Sequence, residues 1–273
     1  MCGQLQNRRF CLQCLLLLLL VTPAICQSAP DDPELYKLRV QAHWWIAKPG
    51  GSLQGNLDRI SFDRDLGFRD YNTFFGMFDW KFARKHHFFV TVAPNRSSST
   101  RTISRQFEFR GQTFFVGEQL RSEVKSFIVS PGYEYDFIRR PRGHFGVSVQ
   151  ISLFDTTATI STVGGVAGPG GVTTTSRKAS GSILAPLPIA GPTFRYYLIP
   201  RRLYVDGAIN GMYFFGYGNF VSGNGTMGVA LGKHFSIRGG YLLGGRTIIT
   251  GTDQRLGLRL TQKGPVVGFE TKW

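Results

Sequence analysis

The feature that most constrains this chain is an alternation of period two that recurs from residue 36 to residue 273. No run of 18 apolar residues occurs anywhere after residue 30. A strand points successive side chains to opposite faces, so this pattern predicts strands, and the missing apolar run argues against a membrane-spanning helix. Residues 36–46 show it most clearly. Tyr36, Leu38, Val40, Ala42, Trp44 and Ile46 share one parity; Lys37, Arg39, Gln41, His43 and Trp45 share the other. Eleven residues at about 3.3 Å each span a bilayer core when tilted.

The pattern repeats down the chain. Phe74, Gly76, Phe78, Trp80 and Phe82 oppose Thr73, Asp79 and Lys81; a run from His87 places Phe88, Val90 and Val92 outward. Phe127, Val129, Tyr133, Tyr135 and Phe137 oppose Ser126, Ser130, Glu134 and Asp136. Phe145 to Leu153 alternate with Gly146, Ser148, Gln150 and Ser152. Further runs cover 182–198, 203–217, 227–231 and 235–247. In the first of these Pro186, Pro188 and Pro192 cannot donate to a ladder, so only its last third is expected to be regular. The last run starts near Arg255 with Leu256, Leu258 and Leu260. Beyond Gly264-Pro265 the apolar parity changes to Val267, Phe269 and Trp273, which predicts a β-bulge there. The count is ten strands, or eight if the proline-rich run and a neighbour fail.

Short connections alternate with long ones. The short ones are 83–86, 138–144, 199–202 and 232–234; the long ones are 47–70, 94–113, 155–181 and 248–254. Within the second long connection, 107–116 predicts a hairpin about Arg110-Gly111. The Gly/Thr/Ser/Val composition of 161–180 predicts a surface loop. Aromatic residues gather where runs meet the short turns: Tyr36, Phe82, Phe88, Phe137, Phe145, Tyr196, Tyr197, Phe235 and Trp273. Such a girdle, with short turns at one end and long loops at the other, is expected of a transmembrane barrel. A lipid-exposed sheet must satisfy every backbone group internally, so it has to close. A soluble sandwich or lipocalin-like barrel would turn charge-rich faces to water. Here the faces opposite the apolar ones are rich in Gly, Ser and Thr, and only 18% of residues are charged, against about 25% in ordinary soluble domains.

The first residues read as an export signal. Arg8 and Arg9 precede an apolar stretch with six leucines from Leu15 to Leu20, and Ala24-Ile25-Cys26 offers small residues for cleavage. The expected organisation is a signal peptide over 1–26, with cleavage as late as 29, a short periplasmic segment over 27–35, and a barrel over 36–273. All four cysteines lie within the leader, so the Cys11/Cys14 pair carries no chemistry in the mature chain. Net charge is +15. For an exported chain that excess points to an anionic surface rather than to nucleic acid.

Phe269, Thr271 and Trp273 alternate up to an aromatic end. With the leader and the alternating strands, the chain resembles the small bacterial outer-membrane β-barrels of the OmpA, OmpX and OmpW kind. The resemblance is architectural and covers nearly all of residues 36–273. It implies an all-β, antiparallel up-and-down transmembrane barrel in the cell outer membrane, reached by the general secretory route. It also implies assembly by the barrel-assembly machinery through a signal at Val267, Phe269 and Trp273. It implies no single activity, because such folds host adhesins, pores and enzymes.

The lumen-facing candidates are Lys37, Arg39, Asp79, Lys81, Glu134, Asp136, Arg195, Asp206, Arg238 and Arg259, with Glu270 beside them. They read as structural ion pairs that plug a narrow lumen, or as the lining of a small pore for a solute, anions above all. A barrel enzyme would need a histidine with carboxylates at the loop rim. His86, His87, His144 and His234 fall at short turns, and only His43 lies nearer the rim. Asp58, Asp63, Asp65 and Asp70 in the first long loop read as a solvated surface. No catalytic, metal or cofactor site is expected. The function expected is a non-enzymatic barrel, structural or surface-interacting through long loops, with outer-membrane lipid, lipopolysaccharide or an extracellular ligand as partner.

Overall fold

The computed structural model describes residues 32–54, 59–109, 111–163, 166–168, 171–173, 177–214, 218–250 and 257–273. The leader expected over 1–26, its cleavage site, Asp58 and Arg110 lie outside the described residues, as does Leu256. Ten strands form the wall: β1 (Leu38–Gln54), β2 (Tyr71–Ala83), β3 (His86–Thr102), β4 (Gln119–Arg140), β5 (Gly143–Thr162), β6 (Lys178–Ile199), β7 (Leu203–Phe214), β8 (Gly218–Ala230), β9 (Phe235–Thr250) and β10 (Gly257–Lys272). Each pairs antiparallel with its chain neighbours, and β1 pairs with β10 from Arg39↔Lys272 to Gln54↔Gly257, so the sheet closes. The Trp273 N–H donates to the Leu38 carbonyl (2.9 Å), and the Trp273 carbonyl accepts from Leu38 (3.0 Å), fastening that seam.

The outward parity is apolar. Trp44, Phe74, Phe78, Phe127, Ile151 and Ile209 are between 41 and 64% exposed. A band of this kind around a whole molecule has no stable place in water. It covers roughly the ten residues per strand that a bilayer core needs. No helix among the described residues is long and apolar enough to cross a membrane.

Several strands outrun that band. β4 and β6 have 22 residues each, about 73 Å of chain, where the hydrocarbon core is about 30 Å. The Ser-rich stretch after Asn95, expected as loop, is strand to Thr102, because it pairs with 119–126 across the whole extension. Likewise 155–161 and 178–184 pair with each other rather than looping. Within that connection Val166–Gly168 pairs with Gly171–Thr173. The expected hairpin is present as Phe107–Phe109 against Gln112–Phe114, with Gly111 at φ 74° in its tip, a conformation that favours glycine.

The proline-rich run is regular throughout, contrary to expectation. Pro186, Pro188 and Pro192 pair in register with Leu153, Ile151 and Val147 of β5. An antiparallel residue turns its N–H and carbonyl to one neighbour only, alternately along the strand. These three share one parity, and their missing donors fall toward β7. There, among the described residues, β6 has no pairs beyond Ala190↔Gly211, and the ladder skips 191 and 192.

The bulge is also elsewhere. β10 keeps one phase through Gly264-Pro265, with Gln262, Gly264, Val266 and Glu270 all turned inward. The register shift lies in β9 between Leu243 and Gly245. Gly244 there faces the Trp45 ring, where an added Cβ would stand 2.2 Å from the ring. Leu260 is inward too. It is apolar because the interior itself becomes apolar toward the loops.

Candidate functional site

Inward parity brings the polar residues of all ten strands into one enclosed space, and its two ends differ. At the end of the tight turns, Glu270 of β10 accepts from Arg195 Nη1 (2.9 Å) and Nη2 (2.7 Å), from Gln41 (2.7 Å) and from Arg238 (3.3 Å). Asp206 accepts from Arg195 (2.8 Å), Arg238 (2.5 Å) and the Thr226 hydroxyl. The Arg195 guanidinium also lies over the Tyr204 ring, 4.5 Å from its centroid. Two arginines and two carboxylates from β6, β7, β9 and β10 thus neutralise each other.

A second group faces it. Arg39 meets Asp79 at 2.6 Å, and the Tyr36 hydroxyl donates to the same carboxylate (3.1 Å). His87 stands between two carboxylates, 3.2 Å from Asp79 and 3.0 Å from Asp136. His144 does the same, 2.8 Å from Glu34 and 3.5 Å from Glu134, and Thr193 donates to Glu134 (2.9 Å). Lys81 lies 3.7 Å from Asp136 and 3.9 Å from Glu34. Glu34 is fully buried although it precedes β1. Burial opposes its charge, but His144, Arg195 and Lys272 outweigh that and hold its carboxyl well below the usual carboxylate range. The segment 32–36 is therefore folded into the turn end, with Asp32 bound to Arg139 at 2.8 Å.

Among the expected lumen residues, Arg39, Asp79, Lys81, Glu134, Asp136, Arg195, Asp206 and Arg238 are buried in this network. Lys37 and Arg259 are not: both are exposed. Regular alternation begins only at Leu38, so the chain kinks before it, burying Tyr36 and turning Lys37 out. Arg259 follows the unbroken outward phase of β10. Tyr197 likewise leaves the expected girdle, being 2% exposed, because its neighbour Tyr196 takes the outward position. Sequence reasoning placed His87 and His144 at turns. The outward Phe88 and Phe145 beside them already implied that both point inward.

Glu134, Asp136 and His144 bring ligand-type atoms within 4.8 Å of one another. Thr193, His87 and Glu34 engage those groups, and the Lys81 ammonium beside Asp136 repels a cation. The arrangement is an ion network. In the first long loop, Asp65 accepts from Nε (3.0 Å) and Nη2 (2.7 Å) of Arg105, whose hydrogen bonds hold its carboxyl below its ordinary value. Asp63 accepts from Ser61 and from the Arg64 N–H (2.8 Å).

Above the network lies a cavity of about 290 Å³, with Arg39, Arg195 and Arg238 in its lining and aromatic walls that include Phe75, Phe89 and Phe154. His43, near mid-barrel, is buried and stacks on Phe75 with centroids 4.5 Å apart.

At the loop end the interior is apolar. Ile60, Phe62, Leu66 and Phe68 of the β1–β2 connection pack with Ile103, Phe107, Phe109 and Phe114 of the β3–β4 connection. The cluster reaches Leu120, Ile160 and Ala179 on β4, β5 and β6, and Leu260 on β10. β5 and β10 are opposite in a ring of ten, so the loops fold across the mouth. Ser99 donates to the Gly67 carbonyl (2.7 Å), and Arg177 binds Glu118 and the Thr113 carbonyl, tying the loops to the wall.

No known protein-family description matches the chain, and no curated protein does. Solved structures align with it over most of its length. The outer membrane protease OmpT of Escherichia coli aligns over 87% of this chain and 97% of its own, with a TM-score of 0.57 and 8% identity. The translocator domain of the autotransporter NalP from Neisseria meningitidis aligns over 98% and 95%, with a TM-score of 0.41 and 12% identity. The Neisserial surface protein A aligns over 86% and 97%, with a TM-score of 0.35 and 10% identity. With the wall closed between β1 and β10, the likeness to OmpT gives the fold of an outer-membrane β-barrel, in a closed ten-stranded form.

Proposed function

We propose that the chain is an integral protein of a bacterial outer membrane that acts without catalysis, through its loop end, with its lumen filled rather than open. The observation that carries this reading is the double closure of the interior. A charge network spans the turn half and an apolar cluster spans the mouth. Buried charges that pair this fully leave no stripe of one sign to select a solute. The paired strand extensions beyond the apolar band hold the loops as a built surface, which suits contact with lipopolysaccharide or an extracellular ligand. Export by the general secretory route, and assembly through the outward Val267, Phe269 and Trp273, belong to the same proposal.

Catalysis finds less support. A protease-type centre needs histidine and carboxylate at the loop rim, whereas all five histidines lie at the turn end or, for His43, inside the wall. The central cavity favours a second reading, a small-solute pore. Conductance of the refolded chain in a planar bilayer separates the two. Insertion with no current steps is expected. Discrete anion-selective steps would overturn the filled lumen and make the pore primary.

A further inference from the structure

The exposed charge at the turn end is almost entirely positive, and it is distributed as a ring. Tight turns join every second pair of strands, so the ten-stranded wall has five seams at this end: four turns and the β10–β1 closure. Each seam carries an exposed cation. Arg84 stands at the first, Arg140 and Arg142 at the second, Arg201 and Arg202 at the third, Lys233 at the fourth and Lys37 at the closure. Among the described residues of this end, Asp32 is the one acid at the surface, and Arg139 binds it. The remaining acids are folded into the interior network.

At three of the seams the cations sit next to the outward aromatic belt: Phe82 precedes Arg84, Phe137 precedes Arg140, and Phe235 follows Lys233, all between 41 and 52% exposed. Long cationic side chains beside a lipid-facing belt extend into the headgroup layer. A soluble partner would bind one side of the rim. A ring in one plane, continuous with an apolar belt, matches a leaflet.

We infer that the turn-end ring binds the phosphate-bearing headgroups of anionic phospholipids in the leaflet facing the turns, at each of the five seams. The inference rests on the membrane-spanning reading above. A cation near an anionic bilayer surface contributes about 1 kcal/mol, which is about a fivefold preference for an anionic over a zwitterionic headgroup at one seam.

The test uses the refolded chain in vesicles of phosphatidylcholine with brominated phosphatidylglycerol, or the reverse, in a Trp44→Phe background. Trp80 and Trp273, 49 and 37% exposed, then report from the turn half. Brominated phosphatidylglycerol should quench severalfold more effectively than brominated phosphatidylcholine, and added salt should reduce the difference. Replacing Lys37, Arg84, Arg140, Arg142, Arg201, Arg202 and Lys233 with Gln should abolish it. Replacing Arg96, Arg121 and Lys125 at the loop end should not. Equal quenching by both lipids in the unaltered protein would overturn the inference. So would a preference that survives the turn-end replacements, or salt-sensitive capture of soluble polyglutamate with no lipid preference. A heat-dependent gel shift shows insertion separately. Failure to insert would strike the membrane reading; insertion without preference would strike only the ring.

Discussion

The two halves of the interior are lined by the same inward parity of the same strands, yet they are closed by opposite chemistry. At the turn end the wall closes itself. Arg195, Arg238 and Asp206 stand on strands joined to a neighbour by a tight turn, and Glu270 on the strand that closes the wall, so the charges meet partners fixed by the ladder itself. At the loop end the wall is completed by guests. Phe62, Phe107 and Phe114 come from connections that must first fold back. The difference teaches where each kind of closure works. A charge pair tolerates little error in geometry and needs a rigid frame. Apolar burial is non-directional and tolerates the adjustments of a loop.

The turn-end closure is most sensitive at Glu270. Glu270→Ala leaves Arg195 and Arg238 short of a counter-charge in a buried site, and should cost about 3–5 kcal/mol in urea-induced unfolding of the inserted barrel. Arg195→Ala combined with it should cost less than the sum of the two single changes. Additive losses would mean the network is a set of independent pairs.

Phe114→Ala removes a fully buried ring and should cost about 3–4 kcal/mol locally. The loss should appear as faster proteolysis within 59–70 and 103–118, with little change in global unfolding. An equal fall in global stability would show that mouth and wall unfold as one unit.

Acid acts on the two ends unequally. Glu34 has a depressed carboxyl pKa in the folded protein, so its contribution is present above its unfolded value, about 4.3, and is lost as pH falls through its lower folded value. Protease access to 32–36 should therefore rise only well below pH 4, and Glu34→Gln should remove that dependence. At the mouth the matching loss should be smaller and should follow the Asp65–Arg105 pair, whose carboxyl is also held below its ordinary value.

Much of the wall was legible in the sequence, because one buried face of a strand imposes period two. The inward sets on 39–45, 73–81 and 146–152 follow directly from it. What escaped was information held by neighbours. Pro186 and Pro188 look disruptive until β7 is seen, among the described residues, to make no pair with that stretch of β6. Ser97 and Ser99 look like loop residues until 122–124 lie opposite them. Leu260 mimicked a change of phase because the pattern reports polarity, and polarity inside this barrel changes with height. The interior network was legible as a set of charges but not as pairs. Glu34 and Tyr36 join it from outside the regular alternation.

The closure between β1 and β10 has a consequence for how the molecule forms. Each of the other seams joins strands adjacent in the chain and can zip from a local hairpin. The last one joins Arg39 to Lys272 and must bring together segments more than two hundred residues apart. Loop-closure entropy rises by about 0.6 kcal/mol per doubling of length, so that seam carries roughly 2–3 kcal/mol more than a seam closed over some ten residues. Until it forms, both edge strands present unpaired donors and acceptors, and the curled sheet is an open template for other strands. Commitment to the native state is thus concentrated at one junction, the step whose rate an assembly catalyst would have most reason to control.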